Sequence, residues 1–435
     1  MLYFLKRLYS FLPKSSLYIL KYIPNFILFG MHYKPWMQKI SCDKGLFVDE
    51  LLKTLVYSRK YTQYGKDHIP KNINLNNVLS TLESLPIVHS HDLATNLEYY
   101  TSTEFNKFNS YTATTGGTGR NPTTILLSNK LYGIEWAHVN TIWSHAGYDR
   151  KKHIKLTLRG KSLNGGRLAE FNPIYNEVVV DTFAVNQNNF SKLLIDLKKY
   201  DISYIHGYPS LVKEYIEYFK IYEYMPSIKG VFLASEGVTI KDKEIIKLFF
   251  DCPVISFYGQ SERAVIAADY DGDGLYKVFS SYGYPRIVKG ELVVTSFVNR
   301  ALPLINYHIG DGAEIVVIDN NIFLKNLKGR WGKDFIYLNE NKKISTTAIN
   351  LHSDIQAHIL YYQIIQDVYG HIKINVLRGQ NSKKSDNFIK ETLKKEMKEN
   401  LKDFIISVDV VQEADIVKSE RGKLMLLVQN IDKTC

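Results

Sequence analysis

Between residues 190 and 257 short apolar runs alternate with amphipathic stretches, which predicts helices at 190–200, 210–220 and 241–250 and strands at 203–206, 230–234 and 253–257. Strands joined through a helix-length crossover pair in parallel, because the connection brings the chain back to the sheet running in the same direction. This stretch commits the chain to an α/β core. It also says where chemistry should lie, since ligands of parallel sheets bind beyond the carboxyl ends of the strands. Those ends read Gly207-Tyr208-Pro209-Ser210, Ser235-Glu236-Gly237 and Tyr258-Gly259-Gln260-Ser261-Glu262, so Glu236 and Glu262 are expected to border one cleft.

Upstream, residues 111–124 read YTATTGGTGRNPTT. Gly116, Gly117 and Gly119 let the backbone turn several N–H groups toward one point, and the hydroxyls of Thr114, Thr115 and Thr118 add donors, a composition suited to wrapping an anion. The run is neither a Walker loop, since no GK[ST] follows, nor the dinucleotide pattern GxGxxG, and a flexible surface turn is the bland alternative. A polyphosphate at this loop would account for the strand-end carboxylates, because a glutamate beside phosphates makes sense chiefly as a ligand of Mg2+.

Residues 31–110 are mainly helices and loops, with helical apolar spacing at 49–57 and 75–85. His89 and His91 lack a carboxylate or cysteine at ligand spacing and read as ordinary polar surface. Past the glycine-rich loop come a strand at 123–127, a helix at 129–143 and apolar runs at 154–158 and 178–181; Trp143, His145, Gly147 and Tyr148 there form either a pocket wall or core packing. Residues 275–330 look antiparallel, with strands at 291–297, 313–318 and 321–325 and a tight turn at Gly310-Asp311-Gly312 whose carboxylate suits ribose hydroxyls. Beyond Gly329-Arg330 the composition shifts to strands at 371–377 and 405–411 around a helix striped by Ile389, Leu393, Met397 and Leu401, the size of a small α+β domain. Near its end a basic loop carries Lys423. The divisions expected are 1–110, a mainly helical part of the large domain; 111–330, the nucleotide-binding core; and 331–435, the C-terminal domain.

A chain of 435 residues, 45% hydrophobic, is long enough for two or three domains. Its net charge of +11 comes with Lys and Arg interspersed among Asp and Glu almost everywhere, which reads as steering toward anionic substrates and ranks nucleic-acid binding last. Cys42, Cys252 and Cys435 show no metal spacing and fit a reducing cytoplasm. Residues 1–30 are apolar, yet Lys6, Arg7, Lys14 and Lys21 interrupt them and Pro13 and Pro24 break them, so no run nears the roughly 20 residues a membrane span requires. Two readings stay open: amphipathic helices packed on the protein's own body, or peripheral contact with a membrane.

In this order the motifs resemble the adenylate-forming enzymes that make acyl-AMP, in the branch of phenylacetate–CoA ligases and CapK-like proteins of surface-polysaccharide gene clusters. The resemblance runs from about residue 110 to the end, and more weakly through the amino-terminal part. Thr114-Thr115-Gly116-Gly117-Thr118-Gly119 is similar to the family's phosphate loop, Gly207-Tyr208-Pro209-Ser210 and Ser235-Glu236 to two weaker signatures, and Tyr258-Gly259-Gln260-Ser261-Glu262 to Y-G-x-[ST]-E. What this implies is that Tyr258 stacks on adenine, Glu262 holds Mg2+, Asp311 grips the ribose, Gly329-Arg330 forms the hinge and Lys423 serves adenylation. The implied fold is α/β: a large N-terminal domain with parallel βαβ sheets and a small antiparallel β subdomain, plus a small mobile α+β C-terminal lid. The implied reactants are ATP, Mg2+, a carboxylic acid and an acceptor, either coenzyme A, another thiol or an amino sugar. The setting implied is cytoplasmic, with peripheral contact at the inner face of the membrane as an option. Three departures bear on geometry: Arg120-Asn121 before Pro122, Asn306 where the branch carries arginine, and Trp331-Gly332-Lys333-Asp334 after Arg330, which leaves Lys333 or Asp334 as pivot. Rival readings are a phosphotransferase that releases ADP and a non-catalytic nucleotide-binding protein of a membrane-associated assembly.

Overall fold

The computed structural model describes residues 21–42, 45, 47–114, 124–328, 335–346, 349, 355, 358–379, 382–417 and 425–431. Helices come first, at Asn25–Leu28, Tyr33–Ser41, Phe47–Tyr61, Gln63–His68, Val78–Ser84, Ser90–Thr95 and Leu97–Tyr100. A hairpin follows, β1 (Ser110–Thr114) with β2 (Thr124–Ser128), in register from Ser110 against Ser128 to Thr114 against Thr124. The helix Leu131–Ser144 leads from it into the main sheet.

That sheet contains β3 (Ile154–Leu158), β4 (Ala169–Asn172), β5 (Glu177–Val180), β6 (Ile202–Gly207), β7 (Gly230–Leu233), β8 (Val254–Gly259), β9 (Ile266–Asp269), β10 (Tyr276–Val278), β11 (Gly283–Val288), β12 (Glu291–Ser296), β13 (Tyr307–Ile318) and β14 (Asn321–Lys328). In space the order is β11-β12-β13-β14-β10-β9-β8-β7-β6-β3-β5-β4. Strands β5, β3, β6, β7 and β8 are parallel neighbours, as the βαβ pattern predicts. The antiparallel strands expected as a subdomain join the same sheet through β8 and β9.

Alternation along the strands divides the core in two. Ile205, Val231, Leu233 and Val254 pack against the helices Phe190–Leu197, Pro209–Ile221 and Ile240–Phe250. Tyr204, Phe232 and Ile255 belong to the other cluster, with Ile142 and Trp143 of Leu131–Ser144 and the amino-terminal helices. Helix starts are chemically marked: Pro209 stands in the first turn of Pro209–Ile221, and Thr239 and Asp242 form a reciprocal capping box for Ile240–Phe250.

One expectation is corrected. Gly310-Asp311-Gly312 is not a turn, because β13 runs through it from Tyr307 to Ile318. The glycines serve an irregularity: Gly310 has φ 84° and the register against β14 shifts between Gly312 and Glu314. The backbone freedom that reads as a turn in sequence here bends a strand and aims Asp311.

At the carboxyl end, β15 (Phe335–Asn339) and β16 (Lys342–Ser345) pair as a hairpin. A second sheet follows from β17 (Ile359–Val368), β18 (His371–Arg378), β19 (Ile405–Val411) and β20 (Leu427–Gln429), ordered β19-β18-β17-β20. The helix Asp386–Asn400 connects the parallel pair β18 and β19, and Ile389, Leu393, Met397 and Leu401 are all buried, as the stripe predicts. Phe183 of the large part inserts into this core, and Lys342 Nζ donates to its carbonyl at 2.7 Å.

Candidate active site

The carboxyl ends of β6 and β7 are tied together by Glu236. Its carboxylate accepts from the Ser210 backbone N–H at 3.1 Å and from Ser210 Oγ at 3.0 Å. Ser210 lies in the first helical turn, where backbone donors have no partner within the helix and the dipole favours an anion. Ser235, just before it, adopts φ 69°, a left-handed conformation costly for a side chain of this kind and of the sort that clusters at functional sites. Of the two expected carboxylates, Glu236 is therefore engaged in joining the loops.

Tyr258 at the end of β8 donates its hydroxyl to Asp311 Oδ2 at 2.7 Å. Burial, then the Asp311 charge, raises this phenol well above its ordinary value, so it remains a donor at any physiological pH. Between β8 and β13 the sheet interposes β9, β10 and β14. Laid flat, strands four places apart would stand about 19 Å from each other, so the antiparallel half curls back over the end of β8. A second clasp repeats the closure: Tyr307, which opens β13, directs its hydroxyl to buried Glu262 at 3.4 Å.

The loop that presents Glu262 is braced on every side. The Arg263 N–H donates to the Gln260 carbonyl at 3.1 Å, the Val265 N–H to Gln260 Oε1 at 3.2 Å, and Ser296 Oγ to the Arg263 carbonyl at 2.8 Å. Arg263, held at φ 55°, pairs with Glu135 on the helix Leu131–Ser144, and Glu135 also accepts from the Tyr282 hydroxyl. This ion pair joins the β8 loop to the helix that follows the glycine-rich hairpin. Gly259 and Ser261 stay exposed on the rim. Sequence reading missed Glu135, Arg263, Tyr282 and Tyr307; adjacency to a motif singles out Arg263, and nothing local marks the others.

Next to β6, of the two readings open for residues 143–148, Trp143 and Tyr148 are core packing. Trp143 stacks on Phe232 with centroids 5.0 Å apart, and Tyr148 meets Tyr204 edge-on at 5.1 Å. His145 is exposed and lies on Tyr270 at 4.0 Å. Beneath them Lys155 and Glu177 form a buried ion pair at 3.1 Å, and Glu177 also accepts from Thr157 at 2.7 Å and Asn172 at 3.0 Å. Burial alone would raise the Glu177 carboxyl; Lys155, then Arg159, outweigh it and hold the group at about 2. Burial, reinforced by Arg159 and Lys155, lowers His206 to about 3, so this imidazole at the end of β6 is neutral. Among the described residues, Trp143 Nε1 and the Tyr148 hydroxyl beside this group are buried without a hydrogen-bond partner.

Asn306 is buried, with its amide donating to the carbonyls of Leu82 at 2.6 Å and Leu85 at 3.1 Å, so the departure from arginine is used to hold the helix Val78–Ser84. His89 lies against His308 at 4.8 Å, and among the described residues no group of three or more His, Cys, Asp or Glu could hold a metal. Thr115, Gly116, Gly117, Thr118, Gly119, Arg120, Arg330, Lys333, Asp334 and Lys423 lie outside the described residues, as does the side chain of Thr114. Their flanks are anchored. Asn299 accepts from the Ser128 N–H at 3.4 Å and donates to the Leu126 carbonyl at 2.9 Å, fixing β2. Buried Gln363 on β17 donates to the carbonyls of Val417 at 2.9 Å and Met425 at 2.7 Å and accepts from the Val417 N–H at 3.0 Å, pinning both ends of the segment that contains Lys423.

No protein-family model matches the chain. It is 22% identical over 371 residues to protein CapK of Staphylococcus aureus, covering 79% of each. Among solved structures, a 2-hydroxyisobutyryl-CoA ligase in complex with 2-HIB-AMP and CoA superposes with a TM-score of 0.51 at 14% identity, over 89% of this chain and 90% of that one. The same ligase in its postadenylation state gives 0.49 at 13% identity, over 88% of each. The chain has the fold of the adenylate-forming acid ligases.

Proposed function

We propose that this protein is an ATP-dependent, AMP-forming acid ligase. A carboxylate attacks the α-phosphorus of ATP in line, the bond to the β-phosphate oxygen breaks, and pyrophosphate leaves. A thiol or amine then attacks the acyl carbon and AMP departs. The observation that carries the reading is the curl of the sheet that brings Asp311 onto Tyr258 and Tyr307 onto Glu262 at the end of a parallel strand. A nucleoside has a ring for Tyr258 and hydroxyls for Asp311, whose orientation the Tyr258 hydroxyl maintains.

The other roles follow from position. Thr114, Thr115, Gly116, Gly117, Thr118 and Gly119 receive the phosphates, and Ser235, Glu236, Gly259 and Ser261 form the rim. Glu262 is a hard oxygen donor beside them. Such a carboxylate suits Mg2+, which commonly takes one or two protein carboxylates and completes its shell with phosphate oxygens and water. Bound there, Mg2+ would neutralise phosphate charge. Arg330 is assigned the hinge between 111–330 and 331–435, and Lys423 the cation facing the reacting phosphate, a task of positioning and electrostatics without a covalent protein intermediate.

Coenzyme A, a carrier thiol or an amino sugar is the acceptor, within surface-polysaccharide synthesis at the inner face of the membrane; the likeness to CapK motivates the setting. Incubation with ATP, Mg2+ and a panel of acids, read by mass spectrometry, tests the reaction. Acyl-AMP with AMP and pyrophosphate supports it, and ADP as the nucleotide product overturns it.

A further inference from the structure

The net charge is not spread evenly. Residues 1–42 contain six Lys and Arg and no Asp or Glu, more than half of the chain's +11. The described end of this segment is rigidly mounted. Buried Arg150 donates through Nε to Asn25 at 2.8 Å, through Nη1 to the Ile174 carbonyl at 2.7 Å and through Nη2 to the Ile23 carbonyl. The amides of Asn25 and Asn140 both donate to the Tyr33 hydroxyl, at 3.2 and 3.1 Å. Leu28, Phe29, Tyr33 and Ile40 are buried with Ala137 in a satellite core. Contact with the helix Leu131–Ser144 is so close that a Cβ on Gly133 would stand 2.7 Å from the Phe29 carbonyl oxygen.

The opposite side of this mount faces solvent. Tyr22, Phe26, Ile27 and Met31 are 64%, 48%, 49% and 82% exposed, four large apolar side chains within ten residues, with exposed Lys34 beside them and Lys21 adjoining Tyr22. Apolar groups held outward on a fixed base form a surface that awaits a partner. A second copy is a poor one, since symmetric pairing would set one all-basic segment against another. An anionic bilayer matches both features, because its acyl boundary takes the apolar side chains while its headgroups take the lysines. No helix among the described residues is long and apolar enough to cross a membrane, so the contact is with the surface.

We propose that the ridge of Tyr22, Phe26, Ile27 and Met31, flanked by Lys21 and Lys34, seats this protein on an anionic membrane surface. The inference deepens the peripheral location proposed above and is independent of the reaction assigned to the cleft. Full-length protein is sedimented with vesicles of phosphatidylglycerol and phosphatidylcholine, and with phosphatidylcholine alone. Binding to the anionic vesicles is expected, falling as KCl is raised, and each of Lys21→Gln and Lys34→Gln should weaken it about fivefold. The triple variant Phe26→Ser/Ile27→Ser/Met31→Ser alters only exposed side chains and should lose vesicle binding with its thermal unfolding unchanged. Absence of binding to either vesicle overturns the proposal, as does binding that the triple variant retains. Loss of binding accompanied by dissociation of a dimer in light scattering overturns it in favour of a second copy. Acid-dependent nucleotide turnover measured on the same samples reports separately on the ligase reading.

Discussion

Gln363 offers a way to disable one half of the proposed reaction from a distance. It is fully buried on β17 and makes three hydrogen bonds to Val417 and Met425, the residues that bracket the segment containing Lys423. Leucine at this position keeps nearly the same volume and removes all three bonds. At about 1 kcal/mol net for each, the anchored arrangement loses about 3 kcal/mol, which lowers its population roughly 100-fold if nothing else holds it. Gln363→Leu should therefore slow acyl-adenylate formation by up to that factor while leaving transfer from chemically prepared acyl-adenylate to the acceptor unchanged, because Lys423 is assigned to the first half only. Single-turnover measurement of each half checks this. Equal loss in both halves would mean the C-terminal unit had simply come apart, and full activity in both would refute the anchoring argument.

Three further outcomes are expected. Tyr258→Phe removes a hydrogen bond to a carboxylate worth about 1.5 kcal/mol, so the KM for ATP should rise about tenfold with kcat little changed in initial-rate assays. Glu177 has its folded-state pKa depressed from 4.5 to about 2, so the stability it contributes is present above the unfolded value and is lost as pH falls through that window; the urea midpoint should drop between about pH 5 and 2, and less steeply in Glu177→Gln. Leu393→Ala empties a buried position in the helix Asp386–Asn400 and should cost the C-terminal unit about 3 kcal/mol in urea titration followed by circular dichroism.

What was legible in the sequence was what is local. Strands β6, β7 and β8 and their intervening helices fall within a few residues of expectation, because the strands are short apolar runs buried on both faces and the helices between them keep a 3.6-residue apolar period. Strand-end residues Ser235, Glu236, Tyr258 and Glu262 follow from them. β17 was missed because Gln363 and Gln366, both buried, interrupt its apolar run. Gly310 and Gly312 misled because a bulge and a turn draw on the same backbone freedom. The pairing of Arg263 with Glu135 spans 128 positions and that of Tyr258 with Asp311 spans 53, and no local pattern encodes a contact of that kind. Nor does any window of sequence report that the sheet curls back on itself, which is what assembles the cleft. Residues 1–42 are the exception to the interspersed charge, with six Lys and Arg and no acid among them.

The most direct test of the central claim is isotope exchange between labelled pyrophosphate and ATP, measured with and without each acid of a broad panel. Label should enter ATP only with one class of acid, and it should disappear in Lys423→Ala and Glu262→Gln proteins that still unfold at the wild-type temperature. Exchange that ignores the acid, or none with any acid in the panel, would contradict the claim.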